Sequence, residues 1–276
     1  MEKLTTLIDN NKKPYYRKDL LALLKRLKVQ KGDTIIMHVA LSSFGFLIGG
    51  EQSLIQTIID YIGEEGTLVM PSQTVNISNP KSWEYPPVPE EWQDDIRDSI
   101  YPYDPGKTPV DDMLGVVARY FSTYKGTKRS SHPLYSFCAY GRKADEIISK
   151  HDYNFGFGTD SPLGKLYDLN AKVLMIGTDF DSNTSIHLAE NFLDREVIYE
   201  SAPVIVENEK KWIEFKNIEL DIYDDFPIIE EEFKKKYANT INIEKLYKGE
   251  AMYFSMRECV DFSKEYYLKK EKGKLI

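Results

Sequence analysis

Along the first third of the chain the apolar positions alternate between two periods. In "RKDLLALLKRLKV", Leu20, Leu21, Leu23, Leu24 and Leu27 recur at the spacing of an amphipathic helix. "DTIIMHVA" reads as a buried strand, and "GGEQSLIQTIIDYIGEEG" returns to helical spacing through Leu54, Ile55, Ile58, Ile59 and Ile62. "GTLVMPSQT" is the next strand. Strand, helix and strand at these lengths predict a βαβ unit, with parallel strands and a right-handed crossover. From Asn76 to Thr108 the pattern breaks into a stretch rich in Pro, Trp, Tyr and acids, with a short helix predicted near Glu90 to Ile100. It is too aromatic for a plain disordered linker, and loops of this length inside a domain are usually functional.

Beyond the excursion, "VDDMLGVVARYFSTY" and "RKADEIISKH" predict helices and "KRSSHPLYSFCAYG" a strand. "GTDSPLGKLYDL" predicts a turn and helix, and "AKVLMIG" a buried strand. The last third alternates more weakly. It suggests a hairpin around Asn208, a helix at "FPIIEEEFKKKY" and a basic terminal helix, "ECVDFSKEYYLKKEKGK", that frays. There is no internal repeat.

Composition narrows the function classes. With 276 residues, 42% of them hydrophobic, the chain can bury about three quarters of its unfolded surface. We expect one domain over 1–276, with 76–108 as an insertion. The formal charge of −8 argues against nucleic-acid binding and suits a cationic ligand. Cys138 and Cys259 have neither a disulfide framework nor metal-ligand spacing around them. The N-terminus lacks an apolar leader, and no apolar run approaches the roughly 18 residues of a membrane span. A cytoplasmic protein is expected.

Familiar nucleotide and hydrolase motifs are absent. "GFGTDS" has Ser161 where a dinucleotide fingerprint needs its third glycine, and "GTDSPLGK" has the wrong spacing for a P-loop. There is no G-x-S-x-G elbow and no H-E-x-x-H. Two other stretches carry chemistry. In "HVALSSFGFLIGGEQSL" a Ser/Gly loop leads into a helix after Gly49 and Gly50, an arrangement that can hold a phosphate-bearing cofactor. In "DFDSNTSIHLAENF", a helix starting near Thr184 would put His187, Glu190, Asn191 and Asp194 on one face, with Asp181 in the preceding loop. A histidine beside a carboxylate can take a proton near neutral pH; a turn followed by a capped helix explains the same residues without chemistry. His132, before a proline, fits the cleft or a structural turn. His151 reads as a surface group.

"LSSFGFLIGG", "EEGTLVMPSQT", "NPKSWEYPPVPEEW", "RSSHPLYSFCAYG", "FGFGTDSPLGKLYDL" and "GTDFDSNTSIHLAE" occur in this order. Together, from about Asp19 to Ala202 and more loosely to the C-terminus, they resemble the aminoglycoside N3-acetyltransferase family. The resemblance implies that family's own α/β fold, a central, partly parallel sheet flanked by helices with a helical and loop insertion. It implies acetyl-CoA as co-substrate, a small amine as acceptor (the 3-amino group of an aminoglycoside), no metal, and a monomer or homodimer. His187 is then the general base, oriented by Glu190 or Asp181. Leu41, Ser42 and Ser43 contact CoA, and Thr67, Pro71, Ser72 and Gln73 border the same cleft; His38 and Thr108 are assigned to the cofactor side as well. Glu84, Glu90, Asp94 and Thr184 are the acceptor-side candidates. Relatives often read H-S-S-L-S-S where this chain reads "HVALSS", so Val39 and Ala40 remove a possible hydroxyl contact. A metal-dependent amidohydrolase using Asp181, His187 and Glu190, and a non-catalytic amine-binding protein of the same fold, are the competing readings.

Overall fold

The computed structural model describes residues 13–84 and 86–273; residues 1–12, on which the absence of a leader was read, lie outside the described residues. In chain order the elements are α1 (Arg17–Arg26), β1 (Thr34–Val39), α2 (Gly50–Ile62), β2 (Thr67–Pro71), α3 (Glu90–Ser99), α4 (Gly115–Thr123), β3 (Lys128–Arg129), β4 (Phe137–Gly141), α5 (Ala144–Ile148), α6 (Pro162–Asp168), β5 (Lys172–Ile176), α7 (Ile186–Glu190), β6 (Val197–Val206), β7 (Glu209–Ile218), α8 (Phe226–Lys236), β8 (Asn242–Lys245), β9 (Glu250–Ser255) and α9 (Met256–Glu271). A seven-stranded sheet runs β3-β4-β2-β1-β5-β9-β8, and β6 and β7 form a separate hairpin. β1 pairs in parallel with β2 and β5, and the other pairings are antiparallel.

Strand side chains alternate faces, and here the alternation divides the core. Ile36, Val69, Val173 and Met175 pack with α5 to α9, whereas Ile35, Met37, Leu68 and Leu174 pack with α1, α2 and α4. Each such fully buried side chain contributes about 1.5–3 kcal/mol. The predicted β1–α2–β2 unit is present, and so is the hairpin around Asn208. Its two-residue turn, Glu207 and Asn208, has φ of 53° and 67°, the twist that a tight hairpin requires.

Three parts of the chain differ from expectation. "KRSSHPLYSFCAYG" is two short strands, because Pro133 has no N–H to extend a ladder and Ser130 closes the turn, its Oγ accepting from the Phe137 N–H at 2.8 Å. The sequence predicts no strand at β8 or β9; β9 joins the sheet through antiparallel pairing with β5, one strand in from the β8 edge. The terminal helix is anchored, burying Cys259, Val260, Phe262, Tyr266 and Tyr267. The excursion is ordered and packs on the hairpin: the Tyr103 N–H donates to the Pro203 carbonyl at 2.8 Å, and the Arg97 guanidinium lies 4.4 Å from the Trp212 ring.

Candidate active site

Parallel strands open a crevice beyond their carboxyl ends, where connections diverge. Here the loops after β1, β2 and β5 surround a cleft of about 560 Å³, lined by His38, Pro71, Gln73, Asp111, Thr178, Asp181, Thr184 and His187 among others. The stretch from Asp179 to Phe192 is both a capped turn and a functional face. A 3-10 turn, Phe180–Ser182, precedes Asn183, whose side-chain oxygen accepts from Ser185 Oγ at 2.5 Å. α7 follows as little more than one turn, so Asp194 lies beyond it, and Asn191 folds back to donate to the His187 carbonyl at 2.8 Å.

His187 is held on three sides. Its Nδ1 meets Glu190 Oε2 at 2.7 Å. Its ring stacks on Phe157, centroids 5.1 Å apart and planes 14° apart, and lies 5.5 Å from Phe226. With Nδ1 committed, Nε2 is the nitrogen left for chemistry. Glu190 is fully buried, and its other oxygen accepts from Arg195 Nη1 and from the Asp221 N–H, both at 2.7 Å. Burial alone would raise this carboxyl's pKa. The bonds and charges of His187 and Arg195 and the Asp221 N–H outweigh that and hold it below the usual glutamate value. Arg195 is fixed in turn by Glu271 at 3.3 Å and by the rings of Tyr223 and Tyr267.

Glu190, and not Asp181, therefore orients the imidazole. Asp181 is exposed on the cleft wall, where partial burial and the charges of Asp179, Asp224 and Glu230 raise its pKa. With Asp111 it gives the cleft two carboxylates, and among the described residues no Lys or Arg lines it. Asp181, His187 and Glu190 do not converge as a metal site; among the described residues no such group has that arrangement.

A neighbouring hollow of about 740 Å³ is lined by Leu41, Ser42, Gly45, Gly49 and Gly50, and it shares Gly115 with the cleft. Several expected contacts are not brought there. Ser43 is buried against Gly177, where an added Cβ would stand 2.1 Å from that of Ser43. Thr67 begins β2, at the far end from the cleft, and its Oγ1 accepts from the Lys143 N–H at 2.9 Å. Ser72 is fully buried and bonded to Ser136. Thr108 closes a local turn, its Oγ1 accepting from the Asp104 N–H at 2.9 Å. Glu84, Glu90 and Asp94 line neither cavity; α3 packs beside the hairpin and leaves its acids in solvent.

The other histidines are internal. His151 is 6% exposed rather than on the surface, joining Ser130 Oγ at 2.9 Å and the Gly156 carbonyl at 2.8 Å. His132 accepts from the Leu134 and Tyr135 N–H groups, both at 3.1 Å, which makes it the structural turn. Burial depresses both, to about 4 for His132 and about 3 for His151, the latter also repelled by His132. Cys138 and Cys259 are buried free thiols. Burial pushes Cys259 up to about 12 and also raises Cys138, which leaves neither as a ready nucleophile. Sequence reading missed Phe157, Arg195, Asp111 and Thr178. Only Arg195, a cation shortly after Glu190, carried a local signal.

An α/β protein with a carboxylate-held histidine facing an acidic cleft at the strand ends has the parts of a base-assisted transferase. The family model for aminoglycoside 3-N-acetyltransferase matches residues 36–268, and the chain belongs to that family of acyltransferases. It is 39% identical over 263 residues to the SPbeta prophage-derived aminoglycoside N(3')-acetyltransferase-like protein YokD of Bacillus subtilis (strain 168), covering 95% of this chain and 96% of that one. Aminoglycoside N(3)-acetyltransferase IX of Micromonospora chalcea is 31% identical, covering 79% of this chain and 78% of that protein. Among solved structures, YokD superposes with a TM-score of 0.93 at 38% identity, covering 97% and 98% of the two chains. AAC-IIIb, solved as a binary complex with CoASH, superposes with a TM-score of 0.82 at 26% identity, covering 94% and 98%. AAC-VIa bound to sisomicin gives 0.80 at 25%, covering 94% and 99%. No helix among the described residues is long and apolar enough to cross a membrane.

Proposed function

We propose that the protein transfers the acetyl group of acetyl-CoA to an amine, the 3-amino group of an aminoglycoside's 2-deoxystreptamine ring, by direct attack. The observation that carries this reading is the 2.7 Å pairing of His187 Nδ1 with buried Glu190, which leaves Nε2 on an acid-lined cleft. An amine must shed a proton as it attacks a thioester. His187 Nε2 takes that proton, a contribution of roughly 10²–10⁴-fold in rate, and Glu190 stabilises the imidazolium. Asp111 and Asp181 attract the remaining ammonium groups of a polycation. The high pKa values of the two thiols support transfer without an acyl-enzyme.

CoA belongs in the hollow around Leu41 and Ser42, with its pantetheine arm crossing Gly115 into the cleft. Two features support the fit. The hollow opens at the first turn of α2, whose free N–H groups suit phosphate. Gly49 has a φ of +79°, and a Cβ there would stand 2.9 Å from that of Ser53, so the backbone stays bare. The test is thiol release from acetyl-CoA in the presence of a panel of aminoglycosides and, separately, simple amines. Release that depends on a 3-amino-bearing aminoglycoside is expected. Release with simple amines alone would move the acceptor to another class, and no release with any amine would overturn the reading.

A further inference from the structure

Two polar groups of the cleft lack partners. His38 is 7% exposed, and its buried Nε2 has no hydrogen-bond partner among the described residues. Thr178 Oγ1 is also buried and unpaired on the same cleft. A buried donor left unsatisfied costs about 1–3 kcal/mol, so such groups in a folded protein call for an explanation. Their position supplies one. His38 lies two residues beyond Ile36 on β1, and therefore on the same sheet face, the face packed by α7. His38 and His187 line one cavity.

The proposed reaction needs something there. As the amine adds to the thioester carbon, negative charge gathers on the carbonyl oxygen. Among the described residues the cleft walls offer Asp111 and Asp181 but no Lys or Arg, so that charge requires neutral donors. We propose that His38 is a catalytic residue, its neutral imidazole N–H donating to the thioester oxygen, with the Thr178 hydroxyl as a second donor. This inference rests on the acetyl-transfer reading. In the step, the amine lone pair forms the C–N bond, its proton passes to His187, and the C=O π pair moves onto oxygen. His38 holds that oxygen and stays neutral. The pair then returns, the C–S bond breaks, and sulfur leaves with its electrons and takes the proton from His187. Burial, with repulsion from His187, lowers the His38 pKa to about 3. At neutral pH it is therefore a donor with no proton to lose to the base.

The test uses acetyl-CoA labelled with ¹³C at the carbonyl, first bound without an acceptor. Infrared difference spectra should show the carbonyl stretch lowered in the wild type, back near the free value in His38→Ala, and intermediate in His38→Asn or His38→Gln. Those two variants put an amide N–H near Nδ1 or Nε2. With acceptor present, kcat should fall by about 10²–10³-fold in His38→Ala, with KM for acetyl-CoA little changed and the His187 limb of the pH–rate profile in place. Thr178→Val should give a smaller loss of the same kind. A carbonyl stretch unchanged between wild type and His38→Ala overturns the proposal. So does full turnover in a folded His38→Ala. Binding without any turnover in the wild type removes the acetyl-transfer reading alone, because the spectra still report on His38. Failure of acetyl-CoA to bind, measured by calorimetry, overturns both.

Discussion

Replacing Glu190 by glutamine changes one buried oxygen for an amide and tests the pair directly. The carboxylate now accepts from Arg195 and the Asp221 N–H through one oxygen and from His187 through the other. An amide can satisfy only one side. If its oxygen stays with Arg195, its NH2 faces Nδ1 and forces the tautomer that carries the proton on Nε2, so the base is lost. If the amide turns over, its NH2 meets two donors, and the buried Arg195 loses the nearer of its two carboxylate partners, keeping only Glu271 at 3.3 Å. Breaking a buried pair costs about 3–5 kcal/mol, which for a protein of this size lowers Tm by on the order of 10 °C. Losing the base lowers kcat by roughly 10²–10⁴-fold. The assay is steady-state acetylation at saturating acetyl-CoA and aminoglycoside, beside thermal unfolding. In the wild type Glu190 has a depressed folded pKa. Its stabilisation is thus present above the unfolded glutamate value and is lost as pH falls through the folded one. The variant should show a shallower loss of stability on that acid side. Near-normal turnover in a folded Glu190→Gln protein would refute the reasoning.

Asp111→Asn with Asp181→Asn should raise the aminoglycoside KM and spare that of acetyl-CoA; asparagine still caps the turn in which Asp111 accepts from the Met113 N–H, so equal effects on both substrates would point to folding instead. Ser42→Glu should weaken acetyl-CoA binding by repelling phosphate, as read by calorimetry, and unchanged affinity would move CoA away from this loop. His38, His132 and His151 have folded pKa values of about 3, 4 and 3, below the ordinary 6.5, so the unfolded chain takes up protons first. Stability should fall by about 1.4 kcal/mol per pH unit for each as pH drops from about 6.5 toward 4, measured by urea unfolding; a flat profile there would contradict their burial.

What the sequence made legible was local. The helical spacing of Leu54, Ile55, Ile58 and Ile62 and the strand runs around Ile36 and Leu68 are periodic patterns that burial on two faces enforces. The three-residue spacing of His187 and Glu190 survives even though α7 is only a turn long. What stayed hidden depends on distant contacts. Phe157 sits in a stretch that imitates a phosphate loop, yet it is the ring beneath His187. β9 carries little signal of its own, because its partner β5 decides it. The acids of α3 looked like a cation site by composition, but packing against the hairpin turns them to solvent, while Asp111, from the short Asp111–Asp112 pair, reaches the cleft.

The anchoring of Arg195 sets an order of events in the making of the protein. The guanidinium that steadies Glu190 is itself gripped by Glu271 and covered by Tyr267, both on the last helix. Both lie some eighty residues beyond His187 and Glu190 and so leave the ribosome after them. A nascent chain can close β1, β2 and β5 into parallel register and still lack the full set of bonds behind His187. The bonds behind His187 are therefore complete only when α9 docks. A cut ahead of α9 would loosen Glu190 through Arg195 without touching the cleft itself.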